Sequence, residues 1–140
     1  MFKKILLAYD GSEGAKLALS RAAEIGKVSG AEVHILAVGR IPEYAETISE
    51  VEEAREQAGS FYSRFVDDAE HDLTQKGIKV ISRIEFGKPG DVILRIAEDL
   101  GTDLIILGTK PHSALRRRVL GATVDKVVDH AHCSVFVVRM

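Results

Sequence analysis

The chain has 140 residues and a formal net charge of -2, with 46% hydrophobic and 29% charged residues. That balance fits one soluble globular domain and excludes a disordered chain, and no apolar run approaches the roughly 20 residues that cross a bilayer. Cys133 is the one cysteine and has no partner for a disulfide within the chain. With a start, Met1-Phe2-Lys3-Lys4-Ile5-Leu6-Leu7, that runs into a charged turn and not into a signal-peptide core, the reading is a cytoplasmic protein without a membrane partner.

Hydrophobic period predicts the elements in chain order. Lys3 to Tyr9 is a short apolar run closed by the turn Asp10-Gly11-Ser12, and Ala15, Leu19, Ala22, Ala23 and Ile25 then recur at helical spacing up to Gly30. Ala31 to Val38 is a second strand, broken by Gly39 to Pro42. From Tyr44 to Lys76 the positions Ile48, Val51, Ala54, Ala58, Phe61, Phe65, Ala69 and Leu73 step by three or four, which predicts one long helix covering the sheet with its acids outward. Ile78 to Phe86 is a strand, Gly87-Lys88-Pro89-Gly90 a turn, and Asp91 to Leu100 a helix with Val92, Ile93, Ile96, Ala97 and Leu100 inward. Asp103 to Leu107 is the fourth strand; Gly108 to Leu120 is an irregular basic loop, Gly121 to His130 a short helix, and Cys133 to Arg139 the last strand.

Five strands separated by four helices pair in parallel through right-handed crossovers, and runs of Val, Ile and Leu fit strands buried on both faces. The expected fold is α/β, a single-domain open doubly wound five-stranded parallel sheet with four helices. Such sheets bind ligands beyond the carboxyl ends of the strands, so Tyr9 to Ser12, Val38 to Ile41 and the stretch from Gly108 onward are where a site belongs.

Charge is unevenly spread. Between Glu43 and Asp72 ten acids face two bases, Arg55 and Arg64, which leaves a net positive remainder. Lys110 and Arg116 to Arg118 fall in one stretch without an acid, able to focus anions but too short for a nucleic-acid face. This loop leads from a strand into a helix N-terminus, the arrangement in which free N–H groups and the helix dipole favour phosphate. Neither a P-loop nor a G-x-G-x-x-G fingerprint is present.

Four segments in this order resemble the universal stress protein family: Ile5-Leu6-Leu7-Ala8-Tyr9-Asp10-Gly11-Ser12-Glu13, Gly87-Lys88-Pro89-Gly90-Asp91-Val92-Ile93, Asp103-Leu104-Ile105-Ile106-Leu107-Gly108, and Ala131-His132-Cys133-Ser134-Val135-Phe136-Val137-Val138-Arg139. Nearly the whole chain is covered. The resemblance implies a Rossmann-like, adenine nucleotide alpha hydrolase-like fold over residues 1–140, a homodimer through the C-terminal strand, and a role in stress response. In the ATP-binding branch an acid after strand one contacts the nucleoside and the backbone at the end of strand two meets adenine. G-x-x-G, nine residues, then G-S/T hold the phosphates, with Mg²⁺ if ATP is bound.

Asp10, Val38, Gly108 and Gly121 match that pattern, with nine residues, 112–120, intact between the second and third marked positions. Two positions depart: Pro111 replaces the second glycine and Ala122 the hydroxyl residue. Proline lacks an N–H and fixes φ, and alanine lacks the hydroxyl, so two hydrogen bonds to charged groups are lost, worth together on the order of a hundredfold to ten-thousandfold in affinity. Lys110 and Thr123 supply a cation and a hydroxyl nearby. The expected nucleotide-binding set is Asp10, Val38, Gly108, Lys110, Gly121, Ala122 and Thr123.

Other chemistry finds little support in the sequence. His130, His132, Cys133 and His112 have no usual zinc spacing, Ser12 and Ser113 lack a placed base, and no nucleophile elbow exists. The simplest account of His130 is a helix C-terminus, and of Cys133 a small buried residue opening a strand. Three functions follow in order: a non-catalytic regulatory module with a degenerate ATP site, a nucleotide-free dimer that acts through an unidentified protein partner, and a slow ATPase.

Overall fold

The computed structural model describes residues 1–41, 45–109 and 121–140. Its elements are β1 (Lys4–Ala8), α1 (Glu13–Ser29), β2 (Glu32–Gly39), α2 (Ile48–Gln75), β3 (Val80–Phe86), α3 (Pro89–Leu100), β4 (Leu104–Gly108), α4 (Ala122–His130) and β5 (Ser134–Val138). The strands form one parallel sheet in the order β3-β2-β1-β4-β5, so the chain winds outward from β1 in one direction and then, after crossing back to β4, in the other. The switch point lies between β1 and β4.

Period-two alternation of the strands builds two cores. Ile5, Leu7, Val33, Ile35, Leu104 and Ile106 face α1 and the second half of α2, meeting Ala18, Ala22, Val66, Ala69 and Leu73. Leu6, Leu36, Ile105 and Leu107 face the other way, onto Val92, Ile93 and Ile96 of α3 and Val124 and Val127 of α4. Each fully buried Ile or Leu contributes about 1.5–3 kcal/mol, which fixes the register that carries every strand end to the same rim.

Four expectations are corrected. Burial on both faces holds for β1 and β4 and most of β2, but the edge strands β3 and β5 are only half covered; in β5, Ser134 and Phe136 are exposed, Phe136 by 40%. An edge strand has one neighbour, and the flanking helices do not reach across it. The third helix starts at Pro89, not Asp91, because proline at the first helical position gives up only an N–H that would be unsatisfied anyway. Cys133 precedes β5 and is half-buried rather than opening the strand as a buried residue, while Leu100 packs against the second core as expected.

The long helix departs most. It begins at Ile48 after the cap Thr47, whose side chain accepts from the Glu50 N–H, and its buried residues are Val66, Ala69 and Leu73. Ile48 is 80% exposed and Phe61 60%, although both lie on the predicted apolar stripe. Length explains this: a helix of 28 residues runs about 42 Å, whereas strands of five to eight residues span about 17 to 27 Å. The first half of α2 therefore overhangs the carboxyl rim of the sheet, beside the switch point. No helix of the described residues is long and apolar enough to cross a membrane.

Candidate functional site

At the carboxyl rim a cleft of about 320 Å³ opens over the switch point. It is lined by Asp10 and Ser12 from the loop after β1, Val38 and Arg40 from the end of β2, Gly108 from β4, Gly121, Ala122 and Thr123 at the start of α4, and Tyr62 from the overhanging part of α2. Six of the seven expected binding residues thus meet in one cavity although Asp10 and Thr123 are 113 positions apart in sequence. Lys110, with Pro111, His112, Ser113 and Arg116 to Arg118, lies outside the described residues.

The β1 loop is built by its own side chains. Asp10 Oδ1 accepts from the Ser12 N–H at 3.0 Å, and Ser12 caps α1 by accepting from the Ala15 N–H at 3.2 Å. Gly11 between them has φ +80°, and its bare α-carbon lies against the Phe65 ring, where a Cβ would come within 2.9 Å. The turn is therefore held at both ends and pressed against α2.

Two glycines missed by the sequence reading as a pair set the cleft's floor. A Cβ on Gly14 would collide with the Thr109 carbonyl, and one on Gly108 with the Gly14 carbonyl. The first turn of α1 thus packs backbone to backbone on the end of β4, and both residues need to lack a side chain. Thr109 is buried, its N–H bonded to the Val138 carbonyl and its hydroxyl accepting from the Met140 N–H, so the strand end is fixed from the other side as well.

At β2 the backbone offers a hydrogen-bonding edge. Tyr9 N–H donates to the Leu36 carbonyl and Gly87 N–H to the Gly39 carbonyl, so Leu36 turns its polar groups toward β1 and Gly39 toward β3. By the same alternation Val38 turns both its N–H and its C=O toward the β1 side, past the last β1–β2 bond, and among the described residues no backbone group takes them. A donor and an acceptor thus stand side by side on the cleft wall.

At the opposite end, Gly121 is the N-cap of α4, with φ +106° and no side chain to cap the helix. The N–H groups of Ala122, Thr123 and Val124 have no intrahelical acceptor by helix geometry, and all three residues line the cleft. Partial positive charge and open donors therefore face the cavity.

Tyr9 also lines the cleft; burial, reinforced by Asp68 and then Asp10, raises its phenol above the ordinary value, so it stays a neutral donor at neutral pH. Burial likewise raises the Cys133 thiol, which leaves little thiolate for nucleophilic chemistry. Among the described residues no three His, Cys, Asp or Glu side chains converge as metal ligands. His130 ends α4 with Nδ1 3.1 Å from the Lys126 carbonyl, the helix-terminal position the sequence implied.

Arg40 falls in the Val38 to Ile41 stretch where the sequence placed a site, whereas Tyr62, Pro89 and Ile93 are lining residues the sequence did not place there. These three come from two helices and only the overhang of α2 brings Tyr62 to the rim, so no local pattern marks them.

Comparison with known proteins agrees with this fold. A model of the universal stress protein family matches residues 1–139. A Staphylococcus haemolyticus protein named for that family is 34% identical over 142 residues, covering 99% of this chain and 85% of the relative. Among solved structures, hypothetical protein MJ0577, the subject of a structure-based assignment of biochemical function, superposes with a TM-score of 0.89 at 29% identity, covering 100% of this chain and 97% of its own. Two more distant structures share the fold at 19% identity: a universal stress protein in complex with cAMP, TM-score 0.77, covering 99% and 97%, and an Arabidopsis thaliana family protein with AMP bound, TM-score 0.73, covering 98% and 91%.

Proposed function

The chain belongs to the universal stress protein family, and we propose that its switch-point cleft binds an adenine nucleotide as a regulatory signal rather than as a substrate. The observation that carries this reading is the pairing of two edges in one cavity: the Val38 N–H and C=O at one end and the open N–H groups of α4 at the other. Adenine presents an acceptor, N1, beside a donor, its exocyclic amine, which is the complement of a strand residue's N–H and C=O. Asp10, between the two ends, faces the ribose hydroxyls, and Gly108, Gly121, Ala122 and Thr123 face the phosphates, with Lys110 and Mg²⁺ as further countercharge. Adenine nucleotides bound by two proteins of this fold support the same ligand class.

Ala122 gives the phosphates a backbone N–H but no hydroxyl, which favours weak binding and a sensing role over turnover. The edge strand β5, with Phe136 exposed beside one unpaired side, supports a homodimer through the C-terminal strand, and the family relationship supports a cytoplasmic stress-response role.

Thermal denaturation with millimolar nucleotides tests the proposal, since a ligand that binds only the folded chain raises its stability, by about 2.7 kcal/mol at a hundred times Kd. ATP with Mg²⁺ is expected to raise the midpoint and GTP to leave it unchanged, because guanine reverses donor and acceptor along the edge that meets Val38. No shift with ATP, or an equal shift with GTP, overturns the reading; ADP release above a heat-treated control overturns its non-catalytic part.

A further inference from the structure

We propose that the cleft continues into a second subsite that accepts an aromatic group carried on the base of the bound nucleotide, at its exocyclic amine. The inference rests on the adenine reading above and names a larger ligand class for the same site.

Beyond the base end of the cleft lies an open groove of about 420 Å³, lined by Arg40, Ala54, Gln57, Ala58, Phe61 and Tyr62. Arg40 and Tyr62 line both the cleft and the groove, so the two are continuous and not separate depressions. The groove exists because α2 overhangs the sheet: Ala54, Gln57, Ala58 and Phe61 fall in the half of the helix that buries no residue.

Its chemistry is aromatic and cationic. Phe61 is 60% exposed, with its ring edge-on to Tyr62 at 5.1 Å and 87° and to Phe65 at 5.3 Å and 72°. Phe65 in turn packs on Gly11 beside Asp10, so an aromatic row runs from the β1 turn out to the groove. Among the described residues no acid pairs with Arg40. A guanidinium beside exposed rings takes a planar, electron-rich group by stacking and cation–π attraction, and the small Ala54 and Ala58 leave space for it.

The direction of the strand places that group. Along β2 the C=O of Val38 lies beyond its N–H in the direction of Gly39 and Arg40. A base that gives its exocyclic amine to this C=O therefore carries the amine on the Arg40 side. The amine's second hydrogen is the position from which a substituent enters the groove, and a singly substituted amine keeps the hydrogen that Val38 accepts.

Calorimetric titration of the whole chain with ATP and with N6-benzyl-ATP, each with Mg²⁺, tests this on the natural sequence and on Phe61→Ala. Phe61 lines the groove only, so Phe61→Ala is expected to leave ATP affinity unchanged. On the natural chain N6-benzyl-ATP is expected to bind about five- to tenfold tighter than ATP, the range of a favourable aromatic pair, and on Phe61→Ala the two are expected to bind alike. If ATP binds and the benzyl compound binds equally or more weakly, the subsite is overturned and the adenine reading stands. If neither binds, both are overturned. Benzyl binding with no ATP binding supports the subsite and overturns ATP as the sufficient ligand. A Phe61→Ala chain that loses ATP and N6-benzyl-ATP to the same degree overturns the assignment of that ring to the groove.

Discussion

Gly108→Ala is the substitution in which the close packing under the cleft is most exposed to test. The added methyl would collide with the Gly14 carbonyl oxygen and come within 2.5 Å of the Gly14 carbonyl carbon and 3.1 Å of the Ala15 nitrogen. All three are backbone atoms of the first turn of α1, which is capped by Ser12 and packed through the buried Ala15 and Ala18, so none can turn aside as a side chain would. Relief requires the helix to move off β4. Overpacking in a tight interior costs typically about 1–3 kcal/mol, and a purely backbone obstacle belongs at the upper end, about 3 kcal/mol. For a chain of this size that corresponds to a fall in Tm of about 12 °C. Gly30→Ala is the control: Gly30 has φ +68° and no neighbour within 4 Å of a Cβ, so its cost is backbone strain alone, of order 1–2 kcal/mol. Thermal melts followed by circular dichroism decide. A Gly108→Ala midpoint within about 3 °C of the natural chain, or a smaller loss than Gly30→Ala, would refute the reasoning.

Ala122→Ser restores a hydroxyl at the first residue of α4 beside the proposed phosphates; a charge-assisted bond at a partly solvated site is expected to tighten ATP about tenfold in calorimetry, with AMP changed far less. Glu32 receives hydrogen bonds from Lys79, at 3.0 Å, and from His34, at 2.6 Å, which hold its carboxyl below the ordinary value of 4.5. Its stabilising contribution is therefore complete above pH 4.5 and is lost as pH falls below that through the folded value, so Glu32→Gln is expected to lower Tm at pH 7 and to converge with the natural chain in acid. A Tm difference that persists unchanged at low pH would contradict this. Phe136→Asp places a charge on the exposed edge of β5; on the proposed homodimer the natural chain is expected to give a dimer by light scattering and Phe136→Asp a monomer, with Tm little altered.

Much of the fold was legible because a parallel sheet writes itself plainly. Ile5-Leu6-Leu7 and Leu104-Ile105-Ile106-Leu107 are continuous apolar runs since helices cover both faces, and Gly30 and Gly101 end helices in the left-handed conformation that favours glycine. The end of burial along α2 was not legible. Phe61 and Leu73 share one stripe, and only the length of the strands, which sets where the sheet stops, makes one exposed and the other buried. The candidate site divides in the same way. Asp10, Val38, Gly108 and Gly121 were readable from position after strands and from a known motif, and they line one cleft. Gly14 and Tyr62 take their places through tertiary proximity: the first by fitting under Thr109, the second by joining cleft to groove. The sequence carries no periodic mark for such contacts.

One nucleotide is proposed to bridge the end of β2 and the start of α4. Amide resonances of the ¹⁵N-labelled chain, followed during titration with ATP and Mg²⁺, test it most directly, because each end reports through its own backbone N–H. Saturating shifts are expected at Val38 and at Ala122, Thr123 and Val124 with a common Kd, and loss of the α4 shifts alone when adenosine replaces ATP. Shifts confined to other surfaces, or shifts at α4 that adenosine reproduces in full, would contradict it.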